Sequence, residues 1–85
     1  MTVYVDQQRN KFRNMVMCHL LADSEEELHA FAKKIGMKRE WFQPVSTPHY
    51  DLSLQRRAIA LKNGAVEIDA RKTVEIIRKY REARQ

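Results

Sequence analysis

The seven residues from Met15 to Leu21 run almost without a polar side chain, His19 being the exception. An amphipathic helix would space its apolar residues three and four apart, and a half-wet strand would alternate; this run does neither. It predicts a central β-strand covered on both faces. Seven residues are too few to cross a bilayer, and no run of about 18 apolar residues occurs in the chain, so no membrane span is expected. Successive side chains leave a strand on opposite sides. Cys18 and His19 are therefore expected to face different layers and not to ligate one metal together.

A central strand needs neighbours and cover. Thr2-Val3-Tyr4-Val5 is β-branched and aromatic and reads as a first strand ending at Asp6. Residues 7–14 are polar and read as a loop. Asp23 and Ser24 offer an N-cap, Ser24-x-x-Glu27 matches a capping box, and Glu25, Glu26 and Glu27 set negative charge at the positive end of a helix dipole. Leu28, Phe31, Ala32 and Ile35 then recur at i, i+3, i+4 and i+7, and Gly36 supplies a left-handed cap. The acidic run needs no functional explanation. Trp41 and Phe42 read either as a short extended segment or as an aromatic lid, and Pro44 to Pro48 as irregular chain.

Asp51 or Ser53 can cap a second helix with Leu54, Ala58 and Leu61 on its inner face, ended by Asn63-Gly64. Ala65 to Ile68 reads as a third strand. Asp69 caps a third helix, whose apolar side is Val74 and Ile77 with Ile76 and Tyr80. The order β-β-α-α-β-α predicts an α+β (α/β-like) fold: a small three-stranded sheet, at least partly parallel, packed with three helices. Eighty-five residues are too few for two stable cores, so residues 1–85 are read as one domain, with 70–85 a basic C-terminal helix.

The net charge of +5 is concentrated in that helix, where six basic side chains face two acidic ones. Cations in the last turns of a helix can simply be solvated and favoured by the dipole. They can also mark a footprint for nucleic-acid phosphates, carried by Arg71, Lys72, Arg78 and Lys79. Arg9, Lys11 and Arg13 alternate with Asn10, Phe12 and Asn14 and suggest a second, smaller grip on a single-stranded backbone. One cysteine excludes an intrachain disulfide framework and a multi-cysteine zinc module. The first 20 residues show no secretory pattern, and a reducing cytoplasm is the expected compartment.

Polar residues stand out at strand ends and helix starts: Asp6, His19, Asp23, His49, Tyr50, Asp51, Arg56 and Arg57. Three readings compete for them. In one, His49, Arg56 or Arg57 and a helix N-terminus hold a phosphate, and Asp6, His19 and Tyr50 line the same cleft. In another, Asp6, His19, His49 and Asp51 give oxygen and imidazole ligands to a divalent ion that activates water. In the third, His19 is a core histidine and Asp23 and Asp51 are caps. No HExxH, CxxC, P-loop or dinucleotide fingerprint selects among them. Cys18 in an apolar strand is expected to be an inert thiol.

Val3-Tyr4-Val5-Asp6, Cys18-His19-Leu20 with Ala22-Asp23, and Glu27-Leu28-His29-Ala30-Phe31-Ala32 begin a wider likeness. It continues through Trp41-Phe42-Gln43, His49-Tyr50-Asp51-Leu52, Arg57-Ala58 and Gly64-Ala65-Val66-Glu67. On these stretches the chain resembles an uncharacterised family of small phage and bacterial proteins, a domain of unknown function of about this length. The resemblance implies a cytoplasmic accessory protein, often phage-borne, and brings no activity with it. The expected function is binding of a nucleotide or nucleic acid in the His/Asp/Arg cleft. If the protein is an enzyme, the expected reaction is metal-assisted phosphoester hydrolysis, with His49 and Asp51 as catalytic groups and Arg57 offsetting phosphate charge. The alternative is a non-catalytic module that occupies a host protein.

Overall fold

The computed structural model describes residues 2–44 and 47–83. The chain forms β1 (Val3–Val5), β2 (Asn10–Phe12), β3 (Met15–Ala22), α1 (Glu25–Lys34), a 3-10 turn (Arg39–Trp41), β4 (Tyr50–Ser53), α2 (Leu54–Lys62), β5 (Val66–Glu67) and α3 (Ala70–Ala83). The α+β class, the three helices and the partly parallel sheet agree with the sequence. The sheet has five strands and not three, because two short strands join the expected order.

The apolar run is the organising strand. Met17 pairs with both Asn10 and Ser53, and Leu20 with both Val5 and Tyr50. A strand has two edges, so β1 and β2 follow one another along one edge of β3, and β4 occupies the other. All three pair antiparallel with β3; the parallel pair is β1 with β5. The sheet is thus partly parallel as expected, but the return from β3 through two helices to β5 is not a parallel crossover, because β5 runs with β1 and β1 runs against β3.

β2 lies inside the segment read as loop. It is polar and at an edge, so it shows no apolar run, and it is held by the two-residue turn Arg13-Asn14, where Arg13 takes φ +58°. Lys11 pairs with Val16, which puts it on the face away from Met15, Met17 and His19. The irregular stretch from Pro44 to Pro48 includes two residues, 45 and 46, outside the described ones. His49 pairs with Gln43 in an isolated bridge, and Tyr50 to Ser53 is strand, not the approach to a helix.

One face of the sheet carries Val5, Cys18, Leu20, Ala22, Tyr50 and Leu52, all buried under α1 and α2 against Leu28, Ala32, Ile35 and Ala60. α1 begins as read: the Ser24 hydroxyl accepts from the Glu27 amide, and Gly36 takes φ +83°. α2 is capped by Ser53, whose hydroxyl accepts from the Arg56 amide. Its inner face is Arg57 and Ala60, whereas Leu54, Ala58 and Leu61 are exposed. The short helix crosses the sheet with its small residue inward, because Cys18, Leu20 and Leu52 already fill the space beneath. Asp69 caps α3 by accepting from the Lys72 amide.

Among the described residues, the other face is covered only at one end. There α3 sets Ile76 and Tyr80 against Tyr4, Leu21 and Ile68, and the Tyr80 hydroxyl donates to the Ala22 carbonyl at 2.7 Å. Burial pushes that phenol up to about 12. Val74, expected inward, points to solvent. Beyond α3 the sheet lies open from His19 and Asp51 to Met17, Ser53 and Met15. The expectation that β3 is covered on both faces thus holds for its C-terminal half alone.

Candidate functional site

The break between β1 and β2 builds the first part of the site. Asp6 ends β1 with its amide bonded to the His19 carbonyl at 3.2 Å, so the two strands are still in register there. The return bond is diverted: the His19 amide donates to Asp6 Oδ1 at 2.9 Å instead of to a backbone carbonyl. Oδ1 also accepts from the Gln8 amide at 3.3 Å, and Oδ2 accepts from His19 Nδ1 at 2.6 Å. The carboxylate is 1% exposed. Burial works to raise its pKa, but the hydrogen bonds from the His19 ring and amide outweigh it and hold the carboxyl below its ordinary range. His19 moves the other way. Its bond to Asp6 raises the imidazole above its usual value, against the lowering by burial.

β4 brings the second part. Asp51 is the cross-strand partner of His19, so both side chains rise from the same face. His19 Nε2 lies 3.8 Å from Asp51 Oδ1, and His49 Nε2 lies 3.6 Å from the same oxygen. The two imidazoles meet edge to face, with centroids 5.1 Å apart. One donor atom from each of His19, His49 and Asp51 lies within 4.8 Å of the other two.

Each of these three side chains has its other polar atom already engaged. His19 Nδ1 donates to Asp6, His49 Nδ1 donates to the Thr47 carbonyl at 2.7 Å, and Asp51 Oδ2 accepts from the Gln43 amide. A carbonyl can only accept, and the Asp6 carboxyl is ionised well into the acid range. In their neutral forms both histidines thus carry the proton on Nδ1 and direct the Nε2 lone pair outward. Donors at zinc-like bond lengths around one tetrahedral centre stand about 3.3–3.5 Å apart, so the two histidine–Asp51 spacings of 3.8 and 3.6 Å are a few tenths of an ångström from those of a ligand set.

His19 and His49 open onto a depression of about 300 Å³ between the sheet and α3, lined also by Gln8, Thr47, Ile77 and Arg81. The Thr47 hydroxyl is buried there without a hydrogen-bond partner among the described residues. On the far side of Asp51 a larger groove follows the open sheet towards Trp41.

Other expected site residues lie apart. Tyr50 points into the helix-covered core, where its hydroxyl meets His29 Nδ1 at 2.8 Å. Arg57 is buried beneath the site: its guanidinium donates to the Asp6 carbonyl and pairs with Glu67. It braces Asp6 from behind and is not presented to a phosphate. Arg56 donates to the Ile35 carbonyl at 2.8 Å and so caps α1, while its flank lines the larger groove. Asp23 accepts from the Tyr4 hydroxyl. Cys18 is buried on the opposite face, where desolvation raises its thiol pKa.

Lys72 pairs with Glu75 at the Tyr4 end of α3. Helical spacing puts Arg71 and Arg78 on the side away from the sheet and Lys79 on the flank remote from His19. Arg81, one flank round from Ile77, is the α3 cation that reaches the depression; Arg84 lies outside the described residues. Sequence reasoning passed over Gln43, Thr47 and Arg81 as site residues. The helical wheel could have singled out Arg81, but nothing local marks Thr47 or Gln43, whose roles arise from the bridge between Gln43 and His49.

The fold and the cluster define a small mixed α+β domain with two imidazoles and a carboxylate converging on one open sheet face. The chain belongs to the family described as protein of unknown function DUF4031, whose model matches residues 3–80. No curated protein and no solved structure matches it significantly.

Proposed function

We propose that this protein binds a divalent transition-metal ion through His19 Nε2, His49 Nε2 and Asp51 Oδ1, and through that ion a phosphate-bearing ligand. The observation that carries the reading is the fixed orientation of all three ligands, each held by a partner on its other polar atom. Carboxylate–histidine and carbonyl–histidine pairs of this kind orient imidazoles towards metals and raise their basicity. Two imidazoles and one carboxylate suit zinc or iron better than magnesium or calcium, which prefer oxygen ligands.

Three protein ligands leave coordination positions for water and for a ligand oxygen, which suits hydrolysis of a phosphoester. In that role Asp6 positions His19, and Gln43 fixes Asp51. Arg81 and the Thr47 hydroxyl stand at the rim and floor of the depression, where they would meet phosphate oxygens. His49 and Asp51 are then ligands and not acid–base groups. The buried thiol of Cys18 suits a reducing cytoplasm, such as that of a bacterium or of a bacterium hosting a phage.

Cobalt(II) titration followed by visible absorption, with calorimetry for zinc, tests the reading. One equivalent is expected to bind, with tetrahedral d–d bands, and His49→Ala or Asp51→Ala to weaken binding at least tenfold without unfolding the chain. Equal affinity in wild type and both variants would overturn the metal site. It would leave the alternative, a non-catalytic module that occupies another protein.

A further inference from the structure

Asp51, whose Oδ1 lies 3.8 Å from His19 Nε2 and 3.6 Å from His49 Nε2, lines a second cavity of different character beside the depression at the histidines. It is a groove of about 860 Å³ running along the open sheet beyond the histidines. Its floor is Met17 and Ser53, continued by Met15, and its wall is Trp41; Asp51 stands at one end and Arg56 lines it further along. Trp41 is 45% exposed and Met15 48% exposed. A soluble domain this small rarely leaves an indole and thioethers side by side in water unless something covers them. The Lys38 ammonium stands 5.6 Å from the centre of the Trp41 ring, and Arg56 adds a second cation. The groove is therefore apolar along its floor and wall, with charges of both signs at its margin, Arg56 and the nearby Lys38 against Glu40 and Asp51.

Resting on the metal reading above, we infer that this groove takes the base of a nucleotide whose phosphate is held at His19, His49 and Asp51. The ligand required by the two cavities together has an anionic head and a flat, weakly polar body joined to it. A sugar phosphate has the head but would set hydroxyls against methionine side chains. An aliphatic phosphate has an apolar body but gains nothing from an indole face. A nucleotide satisfies both: its base stacks on Trp41, and polarisable sulfur contacts it from the floor. The volume lies in the range of small-ligand sites. The same nucleotide unit can come free or as the end of a single strand, and the basic flank of α3 at Arg81 lies on the opposite side of the metal ligands, where a continuing phosphate backbone would emerge.

Trp41 is the only tryptophan, so its fluorescence reports the groove directly. Zinc-loaded protein is titrated with adenosine 5′-monophosphate, ribose 5-phosphate, adenosine and a short oligothymidylate, with affinities confirmed by calorimetry. The nucleotide is expected to quench Trp41 and to bind about tenfold tighter than ribose 5-phosphate. Trp41→Ala, read by calorimetry, should erase that preference, and Trp41→Phe should keep most of it. Equal binding of nucleotide and ribose 5-phosphate, or an unchanged preference in Trp41→Ala, overturns the inference while the metal site stands. If zinc does not bind but adenosine still quenches Trp41, the groove stands and the metal reading falls. Oligothymidylate binding well above the mononucleotide identifies a nucleic-acid end as the source; parity identifies a free nucleotide.

Discussion

The two faces of the β3–β4 pair are made by alternate residues of the same strands, yet they have opposite physical characters. Cys18, Leu20, Tyr50 and Leu52 point one way and are sealed under α1 and α2. His19, Asp51, Met17 and Ser53 point the other way, and only the Tyr4–Leu21 end of that face is roofed by α3. The sealed face supplies the burial that stabilises so short a chain. The open face beyond α3 contributes less burial, and its polar groups orient one another, Asp6 holding His19 and Gln43 holding Asp51. Stability and chemistry are thus separated by the strand period of two, one residue apart.

That division can be broken by substitution, and the largest effect is expected on the sealed face. Leu52→Ala should cost about 2–5 kcal/mol in chemical denaturation, a large part of the stability of an 85-residue domain. Cobalt affinity of the folded fraction should stay unchanged. A substitution here that weakened the metal as much as the fold would show that the faces are not separable.

Asp6→Asn acts at the seam between the faces. It preserves shape but removes the carboxylate that orients His19, and zinc affinity should fall about 10–100-fold. Wild-type affinity in this variant would remove Asp6 from the site. Ser53→Ala is expected to cost about 1 kcal/mol by removing the α2 cap, with metal binding intact. Loss of metal binding there would place Ser53 among the ligands.

Proton linkage offers a subtler separation in the metal-free protein. The Asp6 carboxyl lies below its ordinary 3.8, so its contribution is present above that value and is lost as pH falls through the lowered one. The His19 imidazole lies above 6.5, so its contribution is complete below 6.5 and is lost as pH rises through the raised value. Denaturation midpoints measured across pH should therefore plateau between about 4 and 6.5 and decline on both sides. Asp6→Asn should flatten the alkaline decline, and an unchanged profile would contradict the pairing. The smallest effect belongs outside both faces: Arg78→Ala should shift stability by no more than about 0.5 kcal/mol and leave zinc affinity alone.

Much of this architecture was legible in the chain. The unalternating run at Met15–Leu21 gave the central strand, and Ser24, Gly36 and Asp69 marked helix ends that the structure keeps. His19 and Cys18 were separable by parity alone. β2 escaped because an edge strand needs no apolar pattern, its backbone being paired on one side only. The inner face of α2 was misread because Leu54, Ala58 and Leu61 fit a helical stripe, while the tight space over Cys18 and Leu52 admits Ala60. Arg57 looked like a phosphate ligand because an arginine near a helix start usually is exposed. Its burial follows from the Asp6 carbonyl and Glu67, which reach it from strands 51 and 10 residues away.

By itself the sequence determined β1, β3, β5 and the three helices, and which residues of β3 share a face. Those are properties of spacing and of local caps, and spacing survives without knowledge of neighbours. Only the tertiary structure decided that His19, His49 and Asp51 converge, that Asp6 takes over the His19 amide, and that α3 packs over the Tyr4–Leu21 end of the open face. These follow from strand register and from where one helix docks on a sheet. Both are set by long-range packing that no local pattern encodes.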